Sequence, residues 1–240
     1  MKYPIGLALV LGIALAVPAH AQRKTKSKPT GSTAAASPAS RLQPLFGGLP
    51  AAQAEAVLGA GYVTKVAGSF ASREEASRFF SGKGYEYLAE GQPDTAAFRF
   101  NLAWLLDPKN PDVYRGLGIV ASRNPAPDES IQLLTQGLAL APTNAFMLSD
   151  LGASHLIRYE KTQKKKDLTA GADYLQRAVA ADATNAVAWQ QLARAYYFQQ
   201  KYPQAWEAVH KGVALNMSRL DFAFLGELIA KLPDPQGKFK

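Results

Sequence analysis

The feature that most constrains this chain is a pattern that recurs at a spacing of 34 residues. The stretch Ser77–Asn110 contains two amphipathic segments, separated by Gly91 and Pro93. Glycine is typical of the residue that closes a helix, and proline of the first turn of the next helix. Key residues of this stretch have counterparts 34 positions later. In order, Phe80, Gly84, Tyr87, Phe100, Ala103 and Pro108 correspond to Tyr114, Gly118, Ala121, Leu134, Gly137 and Pro142. A helix pair that recurs at this period predicts a solenoid of stacked helix pairs.

The repeated unit resembles a tetratricopeptide repeat. That family has places for an aromatic residue, Gly, Tyr, Ala, Phe, Ala and Pro, and the first unit fills all of them. These residues are Phe80, Gly84, Tyr87, Ala96, Phe100, Ala103 and Pro108. Four copies cover about residues 74–217, at about 77–110, 111–144, 145–185 and 186–217. The resemblance implies an all-α fold, a right-handed superhelical solenoid of antiparallel helix pairs.

The junctions between copies agree with this interpretation, and the third copy carries an irregularity. Asn110, Asn144 and Asn185 each precede a new first helix, and asparagine is among the best N-cap residues. The third copy is longer than the others by seven residues, and the excess falls in Tyr159–Thr169. We expect a polar, Lys-rich joint between its two helices, centred on 161–166.

Both ends of the repeats are expected to carry capping helices, because a solenoid must cover its terminal apolar faces. Residues 48–73 predict one helix over about Ala51–Phe70, and Ser72 with Glu75 forms a capping box that starts the first repeat helix. Residues 218–240 predict a last helix with apolar residues on one side. We expect its tail, Gln236–Lys240, to fray.

The amino terminus has the pattern of a secretory signal peptide. Residues 1–21 contain Lys2, a short apolar run from Ile5 to Val17, and the site Ala19-His20-Ala21. An uncleaved anchor is the alternative, but the run is short of the ~20 residues that span a bilayer. We expect a bacterial, periplasmic protein that begins at Gln22, with secretion as the alternative location. The chain has no cysteine, so it has no disulfide and no lipid-modified cysteine.

Residues 22–47 predict a disordered basic tether, rich in Lys, Ser, Thr, Pro and Ala. Of the 27 Lys and Arg residues, six lie at Lys2 and between Arg23 and Arg41, which leaves 21 against 19 acidic residues. The repeats are therefore near neutral, and the basic charge does not indicate a nucleic-acid partner. The tether is either a solubilising spacer or a weak contact with an anionic membrane surface or cell wall.

No constellation of catalytic residues is found in the sequence. After signal removal two histidines remain: His155 replaces the Tyr of the repeat pattern and is expected in the core, and His210 has no carboxylate or histidine cluster near it in sequence. The chain lacks a phosphate loop, a nucleophile elbow and HExxH, and without cysteine the common zinc sites are unavailable. We therefore expect no enzyme activity, no cofactor and no metal.

In the resembled family, the first helix of each pair lines a concave groove that binds a peptide or a partner helix. Carried over by register, the groove positions here are Arg78, Ser81, Tyr85, Asp112, Arg115, Ile119, Phe146, Ser149, Ala153, Val187, Gln190, Arg194 and Tyr197. Arg and Tyr are enriched among the residues that dominate binding energy. The Lys/Asn clamp of chaperone-binding members is absent, since its places hold Ser81, Tyr85, Gly116, Phe146 and Asp150. A contact on the convex face or an edge is the alternative.

Two classes of function remain. One is a non-catalytic adaptor or scaffold of the bacterial cell envelope that binds a protein or peptide in the groove. The other is a structural protein associated with the cell wall or membrane surface, attached through its basic tether.

Overall fold

The computed structural model of the chain describes residues 38–123 and 127–240. The predicted signal peptide and residues 22–37 of the predicted tether lie outside the described residues. The described residues are helical and contain no strand. None of their helices has both the length and the apolar character needed to cross a membrane.

Twelve α-helices follow one another in the described residues. They are α1 (Leu45–Gly48, a single turn), α2 (Ala51–Leu58), α3 (Tyr62–Ala67), α4 (Arg73–Ala89), α5 (Pro93–Leu106), α6 (Pro111–Ser122), α7 (Asp128–Leu140), α8 (Ala145–Thr162), α9 (Lys165–Ala181), α10 (Ala186–Phe198), α11 (Tyr202–Leu215) and α12 (Phe222–Lys231). The pairs α4–α5, α6–α7, α8–α9 and α10–α11 are the four repeats, and each packs against the next. The chain is therefore an all-α solenoid of stacked helix pairs, as predicted.

The helix boundaries follow the capping residues of the sequence. The Oδ1 atoms of Asn110, Asn144 and Asn185 accept hydrogen bonds from backbone N–H groups of the first helical turn, each at 3.0 Å. Ser72 Oγ accepts from the Glu75 N–H at 3.1 Å, and α4 starts at the next residue. These contacts satisfy N–H groups that a helix start otherwise leaves without a partner.

Glycines of the first helices let the paired helices approach closely. A Cβ atom added at Gly84 would lie 2.6 Å from the Phe100 ring, and one at Gly118 would lie 2.7 Å from Leu134 Cγ. Phe100, Leu134 and the matching Leu175 of the third copy are almost fully buried. The small residues therefore leave the space that a large side chain of the second helix fills.

A substitution at Gly118 tests this packing. Gly118→Leu should lower the free energy of unfolding by about 1–3 kcal/mol or more, because overpacking forces neighbouring side chains from their rotamers. Gly82 is the matched control, since a Cβ there meets nothing within 4 Å. Gly82→Ala should stabilise the protein by roughly 0.5–1 kcal/mol through helix propensity. Thermal melts followed by circular dichroism measure both, and an unchanged midpoint for Gly118→Leu would contradict the packing.

The amino-terminal prediction was wrong in two respects. Residues 38–47, assigned to the disordered tether, are folded: Pro38–Leu42 forms a 3-10 turn and Phe46 is completely buried. Asn101 Nδ2 donates to the carbonyls of Arg41 and Gln43, at 2.9 and 2.7 Å. The single capping helix is instead two short helices, α2 and α3, because Gly59 and Gly61 between them have positive φ angles of 103° and 74°.

The polar joint predicted in the third copy is only two residues long. The extra residues lengthen the two helices, so that α8 has 18 residues and α9 has 17, against 12 and 13 in α6 and α7. Only Gln163 and Lys164 lie between them. Asp167, in the first turn of α9, is 1% exposed, because it is the common partner of Arg158 and His155.

The carboxyl-terminal tail packs against the last repeat rather than fraying. The Asp234 carboxylate accepts hydrogen bonds from the backbone N–H groups of Gln236, Lys238 and Phe239, at 2.8–3.0 Å. This turn places the Phe239 ring in stacked contact with Trp206, 6.1 Å between centroids. Helix α12 takes the place of a first helix after the fourth repeat, and no second helix pairs with it among the residues that the structure describes. Phe239 of the tail packs against the apolar cluster that contains the buried residues of α12.

Candidate functional site

The first helices of the four repeats contact one another in the order α4, α6, α8, α10. Their outward-facing residues form one continuous surface, here called the first-helix surface. It begins at Arg78 on α4 and ends at Tyr197 on α10. Most of the predicted groove residues lie along it, so the register taken from the repeats places them on one side of the molecule.

Four residues from three successive first helices meet in the middle of this surface, and we call them the central cluster: Tyr85, Arg115, Phe146 and Asp150. Arg115 Nε donates to Asp150 Oδ2 at 2.7 Å. The Arg115 guanidinium lies 5.5 Å from the Tyr85 ring centroid and 5.2 Å from that of Phe146. Phe146 is 53% exposed. The exposed Phe146 ring thus packs on the Arg115 guanidinium, and the ion pair with Asp150 fixes the position of that guanidinium.

Burial and charge act against each other in this cluster. Burial raises the pKa of the Asp150 carboxyl, and the adjacent Arg115 guanidinium reduces this rise without cancelling it. Burial lowers the pKa of Arg115, but Asp150 and Tyr85 outweigh it and the net pKa is raised. Burial also raises the pKa of the Tyr85 hydroxyl, so that Tyr85 remains neutral at physiological pH. The cluster therefore holds one ion pair, one neutral phenol and an exposed aromatic ring.

Two predicted groove residues do not face the surface. Ser81 is 2% exposed, and its Oγ accepts a hydrogen bond from Asn110 Nδ2 at 3.3 Å. Ser149 is 3% exposed. Both predictions were wrong, because a serine at this place is small enough for the next helix pair to pack over it. The Ser81 contact links the N-cap of α6 to α4.

Tyr85 and Tyr197 lie on the surface but are also packing residues. The Tyr85 ring meets Phe100 edge to face at 5.1 Å, and its hydroxyl donates to the Asp112 carbonyl at 3.0 Å. The Tyr197 ring meets Phe224 at 5.5 Å. Sequence register assigned both to the groove, and the structure shows that both also pack against neighbouring helices. Truncating either tyrosine would therefore change stability as well as binding.

The remaining predicted residues divide between open surface and cavities. Arg78 and Asp112 are exposed at the amino-terminal part of the surface. Ile119 and Ala153 line a cavity of about 240 Å³ formed by α6, α7 and α8.

A larger cavity, of about 310 Å³, lies at the other end, and we call it the C-terminal cavity. It is lined by Val187, Gln190, Gln191, Arg194, Val209, Arg219, Leu220, Asp221 and Phe224. The first four belong to α10, and the last four to the connection after α11 and to the start of α12.

Seven residues of the central cluster and the C-terminal cavity were missed as binding residues by sequence reasoning. They are Asp150, Gln191, Val209, Arg219, Leu220, Asp221 and Phe224. The repeat spacing could have indicated Asp221, because it lies 36 residues after the N-cap residue Asn185. Asp221 caps α12 in the same way, since its Oδ1 accepts a hydrogen bond from the Phe224 N–H at 3.1 Å. No signal in the sequence indicated that Asp150 pairs with Arg115, since that contact joins different repeats.

The histidines have structural partners. His155 is 9% exposed, as expected for a core residue, and its Nδ1 lies 3.2 Å from Asp167 Oδ1. His210 was expected to have no carboxylate near it, and this was wrong: its Nε2 lies 3.0 Å from Asp234 Oδ1, although the two are not aligned as a hydrogen bond. Within residues 38–123 and 127–240, no three His, Asp or Glu side chains come together as a possible metal site.

The sequence matches none of the protein families with which it was compared, and none of the curated proteins. Solved structures do match. PilF of Pseudomonas aeruginosa is 23% identical with a TM-score of 0.57, over 69% of this chain and 74% of that chain. TTC0263 of Thermus thermophilus, described as a thermophilic TPR protein, is 16% identical with a TM-score of 0.54, over 67% and 93%.

A third match is MamA of Desulfovibrio magneticus RS-1, 20% identical with a TM-score of 0.52, over 67% of this chain and 87% of that chain. At these identities the likeness concerns the fold alone. It agrees with the four stacked helix pairs, the asparagine caps and the glycine contacts described above. The chain therefore has the fold of a tetratricopeptide-repeat solenoid.

Proposed function

We propose that the protein is a non-catalytic adaptor or scaffold that binds a protein or peptide partner on the first-helix surface. The observation that carries this proposal is the central cluster, where Phe146 is exposed although Arg115 and Asp150 hold the surface around it in place. Aromatic residues, including phenylalanine, and arginine are enriched at protein–protein interfaces relative to the rest of the surface. Repeat solenoids also use such extended surfaces for protein partners.

We further propose that this binding takes place in the bacterial cell envelope. The support is the signal-peptide pattern of residues 1–21, which favours export to the periplasm, with secretion as the alternative. Amino-terminal sequencing of exported protein tests the expected start at Gln22. An intact Met1 in the envelope fraction would contradict it.

A photo-crosslinking experiment tests the binding surface. Replacing Phe146 with p-benzoylphenylalanine should give covalent capture of a discrete partner from envelope extract. The matched control is the same group at Gln136, which is exposed on the second helix α7. Equal capture from the two positions would move the contact away from the first-helix surface.

Truncation of the same side chain gives an independent measurement. Phe146→Ser should weaken partner binding by about thirtyfold if the ring is an anchor worth about 2 kcal/mol. Because the ring is exposed, the free energy of unfolding should change by only about 0.5 kcal/mol. Unchanged binding by a folded Phe146→Ser variant would contradict an anchor role.

The alternative is a structural protein attached to the cell wall or membrane surface through its basic amino-terminal segment. The observation that favours it is the concentration of Lys and Arg between residues 23 and 41. Deleting residues 22–37 tests it without touching Arg41, whose guanidinium donates to the Val57 carbonyl at 3.0 Å. Loss of envelope retention would support attachment by this segment, and full retention would leave the first-helix surface as the attachment.

A further inference from the structure

The C-terminal cavity combines an apolar floor with a cationic rim. Val209, Leu220 and Phe224 are almost fully buried and form its inner wall, while Val187 is 39% exposed at its opening. Arg194 and Arg219 are the cationic residues of the lining. At about 310 Å³ the cavity is at the lower limit of about 300 Å³ for ligand pockets, which suits one or two side chains of a partner.

Three of the four charged side chains at or beside the cavity contact one another, and Arg219 stands apart from them. Asp221 is fully engaged, because its Oδ1 accepts from the Phe224 N–H and its Oδ2 lies 3.3 Å from Arg194. Arg194 also approaches Glu160 at 3.7 Å and stacks over the Phe224 ring at 5.4 Å. Arg219 has no side-chain hydrogen bond, ion pair or ring contact with any residue of the described ranges. One positive charge is therefore left at the edge of an apolar cavity.

We propose that the C-terminal cavity binds an acidic residue of the partner, with its carboxylate against Arg219 and an adjacent apolar side chain in the cavity. Guanidinium groups form charge-assisted, often bidentate hydrogen bonds with carboxylates. Arg194 has a positioning role, since its contacts with Asp221 and Phe224 fix the start of α12. This proposal rests on the proposed function and adds the chemical class of the partner, an acidic peptide segment.

A pair of small probes tests the chemistry without the natural partner. N-acetyl-Leu-Glu-amide and N-acetyl-Leu-Gln-amide differ in one charge and are titrated to millimolar concentrations into the full chain, followed by the NMR signals of the arginine Nε–H groups. The Arg219 signal should shift with saturation for the glutamate probe. The glutamine probe should bind about fivefold more weakly, because it lacks an exposed ion pair that contributes about 1 kcal/mol to binding. The preference should shrink at high salt, because exposed charges are screened.

Charge-matched variants make the test specific. Arg219→Glu should abolish the preference for glutamate, and Lys109→Glu, in an exposed loop between the first two repeats, should retain it. Melting curves establish that both variants are folded. Equal affinity for the two probes, no saturation with either, or a preference that survives in Arg219→Glu would overturn the proposal. None of these outcomes alters crosslinking from Phe146, so the proposed function is tested separately.

Discussion

Phe100→Ala should lower the free energy of unfolding by about 3–5 kcal/mol, the usual cost of removing a buried phenylalanine from a core that cannot collapse around the cavity. Phe100 is completely buried, on the second helix of the first repeat. Its ring occupies the space left by Gly84 on α4 and Gly116 on α6, and Tyr85 covers its edge. It therefore holds the first two repeats together as well as the helices of one pair.

Urea titration followed by circular dichroism measures this effect. Phe79→Ala is the matched control, because Phe79 is 47% exposed on α4, and it should cost about 1 kcal/mol or less. Gly116→Ala should be destabilising alone, since its Cβ would overlap the Phe100 ring. In the Phe100→Leu background the same substitution should cost less, because the smaller side chain makes room for it. Additive costs would contradict a shared packing site.

Arg158→Met should destabilise the protein by about 3 kcal/mol at neutral pH, because it leaves a buried carboxylate without its cation. Asp167 is 1% exposed, and Arg158 donates to its Oδ1 through Nη2 at 2.6 Å and Nε at 2.9 Å. His155 is the other partner, at 3.2 Å. Methionine keeps the length of the apolar stem, so the change removes mainly the charge.

The pH dependence of stability should change sign in this variant. In the wild type, burial raises the pKa of Asp167, but hydrogen bonds from Arg158 and His155 outweigh it and the net pKa is lowered. Stability from Asp167 is therefore present above its unfolded pKa of about 3.9 and is lost as the pH falls through the folded value. Burial lowers the pKa of His155, so acidification below about 6.5 is destabilising there too.

In Arg158→Met the uncompensated carboxylate raises the free energy of the native state, and protonation at Asp167 or His155 relieves it. The cost relative to wild type should therefore fall as the pH is lowered from neutral, with relief through His155 complete at about pH 6.5 and relief through Asp167 complete at about pH 4, their unfolded pKa values. Asp128→Asn is the control, because it removes the exposed partner of Arg158 and should cost about 1 kcal/mol or less. Arg158→Met combined with Asp167→Asn should recover most of the loss. A cost independent of pH would show that Asp167 is not the destabilising group.

The sequence by itself determined the repeat, its caps and its close contacts. These depend on local residue types: serine or asparagine before each first helix, glycine where helices approach, and large side chains opposite them. Each feature is set by the geometry of one helix or one helix pair, so a 34-residue period is enough to place Phe100 against Gly84. The same register placed Arg115 and Phe146 on one surface.

Tertiary structure decided which surface residues are held together and how the ends are closed. Arg115 pairs with Asp150 across 35 residues, and Arg194 with Asp221 across 27, and no local pattern encodes such contacts. Ser81 and Ser149 are buried because the neighbouring repeat covers them, although their own helix would leave them exposed. The tail after Leu232 has no apolar periodicity, yet it folds because Asp234 collects three backbone N–H groups and α12 leaves a face uncovered. Local propensity fixes a helix, and only the packing of non-local neighbours decides which of its faces remains available to a partner.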